Sequence, residues 1–133
     1  MKPSLRVLCV DDDMAHGDRL IRLFSTAGHA VEHLADGLDA WDKLSRDIEY
    51  FDVVITENHL PGLNGLGVVE VLRAANYRGR IVVHSGSVTL EETVDYRAQR
   101  VDAMVTKCGI DVELLRTVEA LPPRERGAAS GGE

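Results

Sequence analysis

Short apolar segments alternate with amphipathic segments five times along the chain. The apolar segments occupy positions 5–10, 30–34, 53–55, 81–83 and 103–106, and they are rich in Val, Leu and Ile. Between them, apolar residues recur at the three- and four-residue spacing of helices that cover a core with one face. Short continuous apolar strands that alternate with such helices predict a parallel sheet covered on both faces, which is an α/β fold.

Capping residues mark where several of these helices should begin or end. Asp13 and Asp36 each precede an amphipathic segment and are expected to be N-caps. Thr89, with Glu92 three residues later, has the form of a capping box. Gly28 follows the first amphipathic segment and is expected to end that helix. The helix boundaries are therefore predicted from local chemistry as well as from periodicity.

The length and charge of the chain limit its architecture and its partners. It has 133 residues, which is the length of one domain. Its formal net charge of −7 argues against nucleic-acid binding by this chain alone. No apolar run approaches the roughly 18 residues of a membrane span, and no signal-peptide core is present. We predict one domain over residues 1–121 and a polar C-terminal tail or linker over residues 122–133.

The cysteine content indicates the compartment. Cys9 and Cys108 are the two cysteines of the chain, too few for a disulfide framework or a zinc site. Cys9 lies within the first apolar segment and is predicted to be a small core residue. Cysteines that form no disulfide framework favour a reducing compartment, so we expect a cytoplasmic location.

Polar residues follow four of the predicted strands, at the edge where an open parallel sheet forms its functional crevice. Asp11 and Asp12 follow the first strand, Glu57 the third, Ser85 the fourth and Lys107 the fifth. Clustered carboxylates repel one another and are best accommodated around a hard divalent cation such as Mg²⁺. A lysine and a hydroxyl at the same edge suit the oxygens of a phosphoryl group.

Four segments combine at a specific spacing: Val10–Asp13, the Leu-Pro-Gly-Leu-Asn-Gly loop at 60–65, His84–Gly86 and Lys107. Together they resemble the response-regulator receiver domains of bacterial two-component systems, over roughly residues 5 to 121. The resemblance implies a CheY-like, flavodoxin-like three-layer fold, with a doubly wound five-stranded parallel sheet in the order 2-1-3-4-5 and five helices. It also implies a phosphorelay signalling module and not an ordinary enzyme.

The resemblance assigns a metal site by position. Asp11 and Asp12 match the acidic pair that supports Mg²⁺, and Glu57 stands at the phosphoacceptor position beside them. His59 matches the residue whose backbone carbonyl completes the metal site. We therefore expect Mg²⁺ as the cofactor, bound weakly because Glu57 is one methylene longer than the usual aspartate.

The remaining assignments concern the phosphoryl group and the partners. Ser85 matches the hydroxyl that follows the phosphoryl group, and Lys107 matches the lysine of the family motif. The implied partners are a sensor histidine kinase or phosphotransfer protein, or a downstream protein, contacted through the fourth and fifth helices and the fifth strand. A homodimer is compatible with this interpretation, whereas nucleic-acid and membrane contacts are not expected.

Three positions depart from the family pattern. Glu57 replaces the phosphoacceptor aspartate, so we expect no useful phosphorylation by small phosphodonors. Met104 stands where an aromatic switch residue is usual. Cys108 stands where a proline normally follows the lysine in a cis bond, and we expect a trans bond here because a cis non-proline bond costs about 3–4 kcal/mol.

Two alternative functions remain open at this point. One is a receiver-like scaffold that binds a partner without phosphate chemistry. The other is a haloacid-dehalogenase-type phosphohydrolase, with Asp11 as nucleophile and Asp13 as general acid/base. The chain lacks the later paired-acid motif and the cap insertion of that class, which argues against the second alternative.

The histidines add little to the sequence prediction. His16, His29 and His33 are interpreted as surface residues, since no metal-ligand spacing links them. His59 and His84 flank the predicted crevice and are expected to do no more than shape it.

Overall fold

The computed structural model describes residues 3–122 as one parallel sheet with helices on both faces. The strands are β1 (Arg6–Val10), β2 (Ala30–Leu34), β3 (Val53–Thr56), β4 (Arg80–Ser85) and β5 (Ala103–Thr106). The helices are α1 (Met14–Thr26), α2 (Gly37–Arg46), α3 (Gly65–Ala74), α4 (Leu90–Ala98) and α5 (Asp111–Ala120). The strand order is β2-β1-β3-β4-β5, and every pairing is parallel. This confirms the predicted fold class and strand order.

Each central strand contributes to two cores because its side chains alternate between the faces of the sheet. Leu8 and Val54 pack in one core with the apolar faces of α2 and α3. Val7 and Ile55 pack in the other core with residues of α1 and α5. Full burial of one such side chain stabilises the fold by about 1.5–3 kcal/mol. Double-sided burial explains why these strands are continuously apolar, and Cys9 lies in the second core as expected.

The helix boundaries follow the capping chemistry. The Asp13 carboxylate accepts a hydrogen bond from the backbone of His16, and Asp36 caps α2 in the same way. Thr89 and Glu92 form the expected capping box at the start of α4. Gly28, two residues beyond α1, has a φ of +96°, a left-handed conformation that glycine adopts without steric cost.

The chain leaves α5 after Ala120. The predicted tail, apart from Pro122, lies outside the described residues. Within residues 3–122 no helix is both long and apolar enough to cross a membrane.

Candidate functional site

Three charged side chains meet at the carboxyl edge of the sheet. Asp11 follows β1, Glu57 follows β3 and Lys107 follows β5. The Lys107 Nζ atom lies 2.7 Å from Asp11 Oδ2 and 2.7 Å from Glu57 Oε1. The lysine therefore bridges two carboxylates that follow different strands, as parallel strands that end at one edge allow.

Both oxygens of Asp11 are engaged by donors of the protein. Its Oδ1 accepts a hydrogen bond from the Asp13 backbone at 2.9 Å, and its Oδ2 lies 2.8 Å from His16 Nδ1 as well as beside Lys107. Burial acts to raise the pKa of Asp11, but the hydrogen bonds from Lys107, the Asp13 backbone and His16 outweigh it and hold the pKa below its ordinary value. Asp11 is therefore ionised at neutral pH.

Glu57 is held in a similar way. Its Oε2 accepts a hydrogen bond from the Asn58 backbone at 2.7 Å, while its Oε1 pairs with Lys107. Burial acts to raise the pKa of Glu57, but hydrogen bonding by Lys107, Ser85 and the Asn58 backbone lowers the pKa below its ordinary value. The glutamate is therefore a fixed negative charge in the pocket.

Lys107 completes this network from the loop that follows β5. Burial acts to lower its pKa, but the hydrogen bonds and charges of Asp11 and Glu57 raise the pKa above its ordinary value. Residues 3–122 contain no cis peptide bond, so the bond between Lys107 and Cys108 is trans, as expected. The lysine reaches both carboxylates without the cis proline of the family pattern.

The other predicted site residues lie around this network. Ser85, the last residue of β4, is buried, and its Oγ lies 3.2 Å from the Ser87 carbonyl oxygen, to which it donates. Asp12 is exposed and pairs with no charged side chain among residues 3–122. His59 is exposed in the loop after β3. The structure thus brings Ser85 close to the bridge between Lys107 and its two carboxylates, and leaves Asp12 open to solvent beside it.

The type of donor in the pocket fits a hard divalent cation. Asp11, Asp12 and Glu57 offer carboxylate oxygens, which Mg²⁺ prefers. All four carboxylate oxygens of Asp11 and Glu57, however, already accept from a lysine, a histidine or a backbone amide. A cation would have to share these oxygens or displace Lys107 from them.

The interpretation of three histidines as surface residues is wrong. His16 and His29 are only 3% and 5% exposed, and His33 is partly buried. His16 lies between the carboxylates of Asp11 and Asp111, and His33 bonds the Asp11 carbonyl oxygen through Nε2 at 2.7 Å. Buried polar rings of this kind are normally hydrogen-bonded, and here the partners come from distant segments of the chain.

His84 is the exception among the buried histidines. It is 3% exposed, and its Nδ1 atom has no hydrogen-bond partner among residues 3–122. Burial lowers the pKa of His84 to about 4, with a further contribution from His16. Because of this low pKa, His84 is a neutral imidazole at neutral pH. The centroids of the His84 and His16 rings lie 5.2 Å apart, which places His84 next to the acidic pocket.

Asn58 connects the pocket to α4. It follows Glu57 directly, and its Oδ1 accepts a hydrogen bond of 2.6 Å from the buried Tyr96 hydroxyl. Its amide nitrogen donates to Glu92 Oε1 at 3.1 Å. Neither contact was predicted from the sequence. The residue next to the acceptor position is thereby tied to two residues of α4.

The family model of the response regulator receiver domain matches residues 7–119 of the chain. The chain belongs to this family. It is 31% identical to the sensory/regulatory protein RpfC of Xanthomonas campestris pv. campestris over 131 residues, which are 96% of this chain and 18% of that protein. It is 30% identical to the probable transcriptional regulatory protein SilR of Salmonella typhimurium, over 88% of this chain and 50% of that protein. The chain thus spans half or less of the length of these relatives.

Solved structures agree with the fold. The chemotaxis protein CheY4 of Vibrio cholerae superposes with a TM-score of 0.81 at 24% identity, covering 90% of this chain and all (100%) of that one. A CheY-like receiver domain protein of Methanospirillum hungatei gives 0.80 at 24% identity, over 87% of this chain and 91% of that one. These structures support the fold, while the receiver assignment rests on the family match over residues 7–119.

Family membership supplies the general function. The chain is a receiver domain of the kind found in two-component response regulators. Such domains are signalling modules and generally not enzymes. They generally bind Mg²⁺ at the phosphorylation site, and they interact with histidine kinases or phosphotransfer proteins.

Proposed function

We propose that this receiver signals through protein contacts without accepting a phosphoryl group at Glu57. The observation that carries the proposal is the bridge from Lys107 to Asp11 and Glu57, each at 2.7 Å. The lysine that would contact a phosphoryl oxygen already pairs with the carboxylate at the acceptor position. The Glu57 carboxylate thus takes over part of the role of a phosphoryl group. It carries one negative charge, whereas a phosphoryl group carries nearly two.

The length of the glutamate argues in the same direction. Attack of a carboxylate on a phosphodonor needs in-line geometry, and a misplacement of about 1 Å can cost on the order of 100-fold in rate. Glu57 carries its carboxylate one methylene farther from the backbone than aspartate would. Its two oxygens are also held by Lys107 and by the Asn58 backbone. A nucleophile that is overextended and doubly hydrogen-bonded is a poor phosphoacceptor.

The affinity of the pocket for Mg²⁺ is expected to be low for a related reason. Asp11, Asp12, Glu57 and the His59 carbonyl are the groups that would hold Mg²⁺, which when bound supplies positive charge to a phosphoryl group. Asp11 and Glu57 must give up or share Lys107 before they can do so. We therefore propose a weak Mg²⁺ site that is not needed for the resting arrangement of the pocket.

The fourth helix is the proposed output element. Asn58 joins the loop after β3 to Tyr96 and Glu92 of α4. On the outside of this helix, Leu90 is 82% exposed and Val94 is 60% exposed, which suits a protein partner better than water. The proposed partner is a kinase, a phosphotransfer protein or a downstream protein in the cytoplasm. Self-association through the same face is the homodimer form of this proposal.

Amide NMR spectra test the proposal through conformation. The wild-type domain and the Glu57→Asp variant are each compared with and without acetyl phosphate and Mg²⁺. We expect the α4 resonances of the wild type to stay in place, and those of Glu57→Asp to shift. Shifts of α4 in the wild type that require acetyl phosphate in addition to Mg²⁺ would contradict the proposal.

A further inference from the structure

A second cluster of ligand-type side chains lies next to the pocket, between α1, β4 and α5. It consists of His16 on α1, His84 on β4 and Asp111 at the start of α5. One ring nitrogen of each histidine and one oxygen of Asp111 lie within 4.8 Å of one another. Because the three residues come from separate elements, only the folded domain assembles them.

One pair of the cluster already has the spacing of two ligands in a tetrahedral metal site. Zinc binds imidazole nitrogen and carboxylate oxygen at about 2.0–2.2 Å, so two ligands of one ion are about 3.3 Å apart. His16 Nε2 and Asp111 Oδ1 are separated by 3.1 Å. Small side-chain rotations that bring the His84 nitrogen nearer would complete a set of three protein ligands, with water as the fourth.

His84 provides an observation that ordinary packing does not explain. The ring is buried, and its Nδ1 atom has no hydrogen-bond partner among the described residues. A buried polar atom without a partner destabilises the fold unless something else satisfies it. A ring nitrogen without a hydrogen-bond partner is available as a metal ligand.

The surroundings of His16 supply the outer contacts of a metal site. Its Nδ1 atom lies 2.8 Å from Asp11 Oδ2, and its Nε2 atom faces Asp111. Metal-binding histidines usually donate their other ring N–H to a carboxylate, which fixes the orientation of the ring. The second oxygen of Asp111 lies 3.7 Å from Arg19 Nε, which adds a positive charge near that carboxylate.

From this geometry we infer that His16, His84 and Asp111 form a binding site for a transition-metal dication of the zinc class. The inference goes beyond the proposed function, since this site does not include the acceptor position. Two imidazoles and one carboxylate suit zinc, copper or nickel, whereas Mg²⁺ and Ca²⁺ prefer oxygen ligands.

The test is a calorimetric titration of the domain with Zn²⁺ in excess Mg²⁺, which occupies oxygen-only sites. Visible absorption of bound Co²⁺ reports whether nitrogen ligands are present. We expect one Zn²⁺ per chain in the wild type. Loss of an outer contact typically costs about 10–100-fold in affinity, so His84→Leu and Asp111→Ala, which remove ligands, should each cost at least that much.

Two matched variants separate this site from other sources of binding. His29→Gln removes another buried histidine that pairs with an α5 carboxylate, Glu119, at 2.8 Å, and it should leave Zn²⁺ affinity unchanged. Asp12→Asn alters the acidic pocket but none of the three ligands, and it should do the same. Circular dichroism establishes whether each variant is folded. If His84→Leu does not fold, Asp111→Ala provides the test. Absence of Zn²⁺ binding in the wild type, or unchanged binding in the folded ligand variants, would overturn the inference.

Discussion

The ammonium group of Lys107 lies 2.7 Å from the nearer carboxylate oxygen of Glu57. The same ammonium lies 2.7 Å from Asp11, so one lysine is shared by two carboxylates that are 5% and 10% exposed. Two acidic groups this close to each other would otherwise repel. The pocket is thus a closed network of charges, and the consequences of opening it are measurable.

Removal of the lysine should destabilise the domain. Lys107→Met leaves Asp11 and Glu57 without their shared cation, and we expect a loss of about 1–3 kcal/mol in the free energy of unfolding. Urea denaturation at neutral pH measures this loss of unfolding free energy. In a Glu57→Gln background the same lysine substitution should cost clearly less, because one carboxylate has been neutralised. Equal costs in the two backgrounds would show that the lysine and the glutamate are not energetically coupled.

Tyr96→Phe tests the link between the pocket and α4. The change removes the hydroxyl that donates to Asn58 Oδ1 and leaves a buried acceptor unpaired, so we expect a loss of about 1–3 kcal/mol in unfolding free energy. Amide resonances near Glu57 should shift as well. Tyr50→Phe is the matched control, because Tyr50 is 39% exposed and its substitution should change stability by less than about 0.5 kcal/mol. Similar effects of both variants would count against the link.

His84 should make the domain less stable in mild acid. Burial lowers its pKa from 6.5 to about 4, so the unfolded chain takes up a proton in this range while the folded chain does not. Stability from this source is complete above pH 6.5 and falls as the pH drops toward 4. His84→Leu should remove this dependence, so its stability advantage over the wild type should grow as the pH is lowered. A constant difference between the two proteins across this range would contradict the shift.

The fold and part of the site follow from local sequence patterns. Doubly buried strands such as β1 and β3 must be apolar throughout, which makes them visible as short apolar segments. Asp11, Glu57 and Lys107 each come directly after a strand, and parallel strands bring such positions to one edge. The strand order itself was implied by the family resemblance and not by periodicity.

The rest of the site depends on packing between distant segments. His16, His84 and Asp111 have no recognisable spacing, and they meet only once α1, β4 and α5 pack together. The contact of Asn58 with Tyr96 spans 38 positions, and neither residue carries a motif. A sequence shows which residues could be buried, but the partners that make burial of a histidine tolerable come from the tertiary structure.

Metal affinity should depend on the length of the acceptor side chain. We expect Mg²⁺ to bind the wild type weakly, because Asp11 and Glu57 are engaged by Lys107. Glu57→Asp shortens the side chain and should bind Mg²⁺ more tightly. Isothermal titration of the two proteins provides the comparison. Tight binding by the wild type together with none by Glu57→Asp would be the opposite of this expectation.

Intact-mass measurement after incubation with acetyl phosphate and Mg²⁺ tests most directly whether Glu57 accepts a phosphoryl group. The three proteins to compare are the wild type, Glu57→Asp and Glu57→Gln. We predict a phosphate-sized mass increase for Glu57→Asp alone, because only there is a carboxylate of the usual length at the acceptor position. A phosphate-sized increase for the wild type that disappears in Glu57→Gln would show that the glutamate is a working phosphoacceptor, and it would contradict the proposed function.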